Sequence, residues 1–127
     1  MKTSVRIIVI SALLTCAVGL FLPAIAQNPN TSPVINVTGT TWVGTDSDGD
    51  YYEYTFQPDG VLHYKSPSGF FTNGTWQEVD DTIYMQTYYG QTTKKYSERM
   101  GQIKGTHMEG KAINIVGRTW SWVADKK

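Results

Sequence analysis

The stretch Gly39-Thr40-Thr41-Trp42 places a glycine, a short spacer and a tryptophan at the start of a β-prone run. The same order returns at Gly74-Thr75-Trp76 and at Gly117-Arg118-Thr119-Trp120. Glycine lets the backbone turn or bulge without a Cβ penalty, and a tryptophan just inside a strand brings a large apolar surface to the edge of the core. The repetition therefore indicates packing points of one β-scaffold and assigns no activity.

Short β-prone runs alternate with turn residues from Thr40 onward, as at Asp48-Gly49, Pro58-Asp59-Gly60 and Pro67-Ser68-Gly69. Most of these turns fall about 8 to 12 residues apart, which is the spacing of an all-β sandwich or barrel. No window of the body shows a convincing helical stripe of apolar residues. We predict eight strands, over residues 40–46, 51–57, 61–65, 70–78, 82–88, 95–104, 108–115 and 118–124.

Period-two alternation assigns the faces of the predicted strands. The last strand is the clearest, because Trp120 and Trp122 share one face. The run around Ile113 is ambiguous, and Gly101 and Gly110, inside predicted strands, indicate bulges. Eight sequential strands with short connections favour a single antiparallel up-and-down barrel, which leaves no exposed sheet edge.

The N-terminal residues have the pattern of a secretory signal peptide. Lys2 and Arg6 give a positive start, and an almost unbroken apolar run follows over residues 7–22. Ala24-Ile25-Ala26 then matches a small-x-small cleavage signature. We expect residues 1–26 to be removed and the protein to be secreted or periplasmic. An uncleaved anchor is the main alternative, because about twenty apolar residues can just span a bilayer.

The chain after residue 26 is long enough for one small domain. Loss of the signal removes the only cysteine, Cys16, so packing alone must stabilise residues 27–127. Residues 27–38 have the composition of a flexible leader, and residues 39–127 form the predicted barrel domain. Two basic residues leave with the signal, so 9 basic face 11 acidic residues and the net charge is −2. Nucleic acid and anionic membranes are therefore poor candidate partners.

The glycine-to-tryptophan stretch at Gly39–Trp42 resembles the signature that begins lipocalins and their calycin relatives. In that family an arginine near the chain's end packs across the first-strand tryptophan, and Arg118 is the matching residue here. In size the domain is similar to small lipocalin-like barrels that bacteria export as enzyme inhibitors. The resemblance implies a lipocalin-like barrel and a contact between Arg118 and Trp42.

The interior of such a barrel can be filled, wet or occupied by a ligand. An empty apolar lumen of about 300 Å³ would cost about 7 kcal/mol at about 24 cal/mol per Å³, which rivals the stability of a small domain. We expect aromatic side chains to fill it, because eight strands leave a lumen just wide enough for side chains. The candidates for the core or a ligand site are Trp42, Tyr54, Phe56, Trp76, Trp120 and Trp122, together with Arg118.

Asp46, Asp48 and Asp50 alternate as oxygen ligands do in a calcium loop. The Asp48-Gly49 pair also suits a solvated hairpin turn, which is the favoured interpretation. We therefore expect no metal and no cofactor, with the three aspartates as weak candidates for a metal site.

The sequence predicts no catalytic site. His63 and His107 lie on different predicted strands or turns without a carboxylate at a ligand spacing. Glu53, Glu98 and Arg99 could meet across the barrel, but surface ion pairs across strands are the favoured interpretation. Several tyrosines could stack sugar rings or anchor a protein interface on the outer face, although ordinary cross-strand pairs are the favoured interpretation: Tyr51, Tyr64, Tyr84, Tyr88 and Tyr89.

Three classes of function fit these features. The leading expectation is an exported, monomeric, non-enzymatic barrel that binds a protein or a small apolar ligand. The first alternative is a secreted or periplasmic inhibitor of a hydrolase, which would insert the leader or the loop over residues 88–95. The second is a small barrel enzyme that acts on an aromatic or lipid-like substrate.

Overall fold

The computed structural model of the protein describes residues 36–127, in which eight strands and a short 3₁₀ turn, Pro58–Gly60, are present. The predicted signal peptide and most of the predicted leader lie outside the described residues. No helix within residues 36–127 has the length and apolarity needed to cross a membrane. The strands are β1 (Thr41–Asp46), β2 (Tyr51–Phe56), β3 (Val61–Ser66), β4 (Gly69–Val79), β5 (Thr82–Tyr88), β6 (Lys95–Lys104), β7 (His107–Asn114) and β8 (Thr119–Lys126).

Each strand pairs antiparallel with the next, and β8 pairs with β1, so the sheet closes into an up-and-down barrel. Across the closing seam Trp42 pairs with Lys126 and Asp46 pairs with Trp122. The predicted fold class is therefore confirmed, and the barrel is consistent with a calycin-like fold. Every strand boundary lies within two residues of its predicted position.

Alternation along each strand decides which side chains fill the barrel. In β8, Trp120 and Trp122 are buried and Val123 is exposed, as predicted. In β7, whose faces were ambiguous in the sequence, Ala112 is buried and Ile113 is exposed. The inner face of β7 therefore carries Met108, Gly110 and Ala112, and the two small residues lie opposite Trp122 and Trp120 of β8.

Gly101 and Gly110 do not form bulges, so that prediction was wrong. The two glycines pair with each other in a continuous β6–β7 register. A Cβ on Gly101 would lie 2.6 Å from Cζ2 of Trp122, and one on Gly110 would lie 2.0 Å from the Met100 carbonyl oxygen. The missing side chains therefore make room for the Trp122 ring and for close approach of the backbones. Register shifts occur instead between β3 and β4 and between β5 and β6.

Two of the three glycine-to-tryptophan stretches lead into strands, and the third does not. Gly39 and Gly117 precede β1 and β8 with φ of +77° and +83°, in the left-handed region that favours glycine. Gly74 lies inside β4, where an added Cβ would come within 2.9 Å of the Leu62 carbonyl oxygen. The expectation of a strand start is therefore wrong at Gly74, which permits close strand approach instead.

The segment before β1 closes one end of the barrel. Val37 is fully buried and belongs to the hydrophobic core. Its N–H donates to Oε2 of Glu78 at 3.1 Å, and its carbonyl accepts the Thr40 hydroxyl at 2.6 Å. We call this the plugged end. The other end, which we call the open end, is ringed by the connections over residues 47–50, 67–68, 89–94 and 115–118.

Candidate functional site

Aromatic side chains pack the barrel from the plugged end to its middle. Trp42 and Phe56 are fully buried, and Tyr54 and Trp122 are nearly so. The Tyr54 and Trp122 rings meet edge to face with centroids 6.1 Å apart. Trp76 is only partly buried and packs edge to face on Phe56 at 5.3 Å. These five residues, each a sequence candidate for the core or a ligand site, therefore lie in or against the packed interior.

Arg118 does not contact Trp42, contrary to what the lipocalin resemblance implies. Its guanidinium carbon lies 6.0 Å from the ring centroid of Trp120, and its Nη2 donates to the Asp48 carboxylate. Its side chain is 59% exposed in the connection just before β8, whereas Trp42 pairs with Lys126 at the other end of that strand. Arg118 therefore ties the β1–β2 turn to β8 at the surface of the open end.

Of the three aspartates near the β1–β2 turn, Asp46 holds the turn with its side chain, whereas the Asp48 carboxylate pairs with Arg118 and Asp50 lines the pocket at the open end. Asp46 is almost buried, and its Oδ1 accepts the backbone N–H groups of Asp48 and Asp50 at 2.9 and 3.0 Å. Within residues 36–127 no group of three or more His, Cys, Asp or Glu side chains could hold a metal ion. The hairpin-turn interpretation accounts for these residues without a cation.

A cavity of about 370 Å³, open to solvent on one side, lies in the mouth of the barrel at the open end. Its volume is within the range of about 300–1,000 Å³ that is typical of small-molecule sites. The expectation that aromatic side chains fill the barrel interior therefore holds only for the plugged end and the middle of the barrel. The cavity is lined by aromatic and hydroxyl-bearing side chains around one cation, among them Tyr52, Tyr64, Tyr88, Tyr89, Tyr96 and Arg99.

Contacts among the wall residues hold these rings in place. The Tyr64 hydroxyl donates to the Tyr88 carbonyl at 3.1 Å, and the Tyr64 ring packs on Phe71 with centroids 5.2 Å apart. Tyr52 stacks on Tyr54 with an interplanar angle of 4° and a centroid separation of 5.9 Å. The wall is therefore preformed, with two neighbouring rings fixed by the core beneath them.

Arg99 of β6 reaches this cavity from the interior with only 3% of its surface exposed. Its Nη1 donates to Ser97 Oγ at 2.7 Å and to Thr87 Oγ1 at 3.2 Å. Its guanidinium carbon lies 5.0 Å from the ring centroid of Tyr52 and 5.5 Å from that of Trp120. No ion pair between Arg99 and a carboxylate is present among the described residues. The cavity therefore carries a buried cation that no acidic side chain neutralises by contact.

The prediction that Arg99 forms a surface ion pair was wrong. Glu98 instead pairs with Lys95 at 2.5 Å, and Glu53 approaches the two lysines Lys65 and Lys127. The sequence did contain a signal for the inward position, because Arg99 alternates in phase with the buried neighbours two and four residues along β6. The usual preference of arginine for the surface outweighed that signal.

The tyrosine hydroxyls near Arg99 stay protonated at neutral pH. Burial raises the pKa of Tyr52 to about 12; the Arg99 charge opposes this shift, and the charges of Asp46 and Asp50 add to it. Burial also raises the pKa of Tyr54, again against the effect of Arg99. The Tyr54 hydroxyl is buried beside the Arg99 guanidinium. The inner wall therefore combines neutral hydroxyls with one positive charge.

The two histidines lie outside this cavity. His107 does have carboxylate neighbours, which the sequence spacing did not reveal: its Nδ1 is 2.8 Å from Asp125 Oδ1, and its Nε2 is 3.8 Å from Glu109 Oε2. Antiparallel pairing of β7 with β8 places His107 opposite Asp125. All three side chains are exposed at the plugged end, and His63 pairs elsewhere, with Thr55.

A second depression of about 520 Å³ lies mainly on the outer face of β5, β6 and β7, and Arg99 is also among its lining residues. Tyr84, Met100 and Ile113 are 42%, 53% and 45% exposed there. Of the tyrosines considered for the outer face, Tyr84 lies in this depression and Tyr51 is exposed elsewhere. The others, Tyr64, Tyr88 and Tyr89, line the interior cavity. The aromatic surface therefore divides between an inner wall and an outer patch.

Comparison with protein-family models, with curated proteins and with solved structures gave no match to this chain. The candidate site is therefore interpreted from its own geometry and chemistry.

Proposed function

We propose that the protein is an exported, non-enzymatic, lipocalin-like module that binds a small apolar or aromatic molecule in the open-end cavity. The observation that carries the proposal is a tyrosine-lined cavity of about 370 Å³ in a barrel whose other half is packed with side chains. The plug at Val37 covers the opposite end, so the ligand enters and leaves between the open-end connections. Export follows from the N-terminal sequence pattern.

The cavity wall suits a ligand with a flat or apolar body. Tyrosine rings supply large contact areas with few rotatable bonds, and their hydroxyls supply polar contacts at the edges. Tyr52 and Tyr64 are already held by their neighbours, so binding costs little ordering of the wall. Both features favour recognition of a small molecule.

The alternatives find less support in the described residues. The cavity lining within residues 36–127 contains no histidine or cysteine, and its one carboxylate is the exposed Asp50, so it offers no paired nucleophile and base. The inhibitor alternative needs a free insertion arm. Val37, at the end of the predicted leader, is docked in the plugged end, and residues 88–90 line the cavity.

Calorimetric titration of residues 27–127 with N-phenyl-1-naphthylamine, a neutral aromatic probe, tests this proposal. We expect saturable binding at one site. Ser66→Trp adds a large ring at the cavity wall and should weaken binding at least tenfold, which corresponds to about 1.4 kcal/mol. Lys65→Trp is the matched control, because Lys65 is the adjacent residue on β3 and its side chain is 56% exposed.

The wild-type protein and the control variant should therefore bind alike. Failure of the wild-type protein to bind, or equal weakening by both substitutions, would contradict a small-molecule site in the cavity.

A further inference from the structure

Arg99 is buried without an acidic partner among the described residues. Charged side chains are rarely buried unless an opposite charge or a ligand compensates them. The contacts of Arg99 are the hydroxyls of Ser97 and Thr87 and the faces of aromatic rings, and none of these groups is negatively charged. A buried cation therefore faces a cavity that a small molecule can enter.

The N–H donors that Arg99 does not use within the protein indicate which acceptor group a ligand needs. Both hydrogen bonds to Ser97 and Thr87 use Nη1. Nε is buried and has no hydrogen-bond partner within residues 36–127, and none of the hydrogen bonds found there involves Nη2. Arginine presents its N–H donors as a planar fork that matches the oxygens of a carboxylate or a similar oxyanion, so an anionic group that enters the cavity suits the donors that Ser97 and Thr87 leave unused.

We infer that the cavity selects small molecules with a compact apolar or aromatic body and one anionic head group, a carboxylate or a sulfonate, which Arg99 binds. This inference rests on the proposed function, because it names the class of ligand for the same cavity. The tyrosine rings contact the body of the ligand, and Arg99 determines its charge and its orientation.

The carboxylates of Asp46 and Asp50 also contribute negative charge near Arg99 and the open-end cavity. Asp46 lies outside the cavity lining, and the turn N–H groups of Asp48 and Asp50 bind its Oδ1. Asp50 lines the rim and is exposed, so solvent and salt screen its charge more than they screen the buried Arg99. Asp50 therefore weakens the preference for anions without reversing it, and Asp50→Asn should strengthen binding of an anionic probe.

Two probes with the same aromatic body isolate the charge. N-phenyl-1-naphthylamine is neutral, and 8-anilinonaphthalene-1-sulfonate adds one sulfonate to the same rings. By calorimetry we expect the wild-type protein to bind the sulfonate at least tenfold more tightly than the neutral probe. Arg99→Met should abolish that ratio and still bind the neutral probe, whereas Arg99→Lys should retain part of the ratio. Asp50→Asn should raise the ratio, and added salt should lower it.

The outcomes separate the two proposals. Equal affinity of the wild-type protein for both probes overturns the role of Arg99 and leaves the proposed function in place. Failure to bind either probe overturns the proposed function itself. If Arg99→Met does not fold, the Asp50→Asn variant and the salt dependence test the inference instead. An affinity ratio of the two probes that neither Asp50→Asn nor added salt changes would overturn it. Sulfonate binding that Ser66→Trp leaves unchanged would place the probe on the outer face and also overturn it.

Discussion

Gly101→Ala is the smallest change that tests the packing around Trp122. The added methyl would lie 2.6 Å from Cζ2 and 2.7 Å from Cη2 of Trp122, and 2.7 Å from the Glu109 carbonyl oxygen. The ring has little freedom to move, because its Nε1 donates to the Lys111 carbonyl at 3.1 Å and its edge packs on Tyr54. A loss of stability would therefore report these contacts.

Two opposing effects determine how much Gly101→Ala changes the free energy of unfolding. Overpacking a core by one methyl group costs about 1–3 kcal/mol. Alanine also restricts the unfolded chain, which returns about 0.4–1 kcal/mol. We therefore expect Gly101→Ala to lower the free energy of unfolding by about 1–2 kcal/mol. Because about 1 kcal/mol shifts the Tm of a domain of about 60–100 residues by about 4–8 °C, the Tm should fall by about 4–16 °C.

A double-mutant cycle measured by urea unfolding isolates the contact with the ring. Trp122→Phe removes the ring atoms that the new methyl would meet, so the two substitutions together should cost about 0.5–2 kcal/mol less than the sum of their separate effects. The Glu109 carbonyl stays in place, so the rescue should be partial. Additive effects, or a Gly101→Ala variant as stable as the wild-type protein, would refute this account of the glycine.

Three further predictions concern the plug, the surface arginine and the buried tyrosines. Val37→Ala should lower the free energy of unfolding by about 1–3 kcal/mol because Val37 is fully buried, whereas Thr38→Ala, exposed beside it, should change it by less than about 0.5 kcal/mol; equal effects in urea unfolding would contradict the plug. Arg118→Ala should cost less than about 1 kcal/mol, since its ion pair is exposed, and it should leave probe binding unchanged; weaker binding by calorimetry would show that Arg118 belongs to the site. Stability should fall as pH rises above about 10, because tyrosines ionise there in the unfolded chain while burial raises the pKa of Tyr52 to about 12 and also raises that of Tyr54. Tyr54→Phe should flatten this decline in urea unfolding above about pH 10, and an unchanged slope would contradict the assignment.

The sequence predicts the barrel well because its β-signals are local. Turn residues end each strand within a few positions, and alternation assigns the inner face wherever large apolar residues repeat, as at Trp120 and Trp122. The pairing of the first strand with the last can also be predicted from the sequence, because an up-and-down barrel can close only if these two strands pair. These features need no knowledge of distant contacts.

The candidate site depends on contacts between distant parts of the chain, and the sequence predicts less of it. Arg99 is inward because β6 alternates, yet only the closed barrel shows that its neighbours are hydroxyls and rings rather than carboxylates. The sequence predicts a bulge at Gly101, because it does not reveal that the Trp122 ring packs against this glycine. Val37 belongs by composition to a flexible leader, yet it is buried in the core and its N–H donates to Glu78 of β4, 41 residues away.

The most direct test of the central claim is a crystal structure of residues 27–127 bound to 8-anilinonaphthalene-1-sulfonate. We expect the aromatic rings of the probe to lie between Tyr52 and Tyr64 and its sulfonate to lie within hydrogen-bond distance of the Arg99 guanidinium. A probe seated on the outer face beside Tyr84 and Met100, or within the cavity with its sulfonate turned away from Arg99, would contradict it.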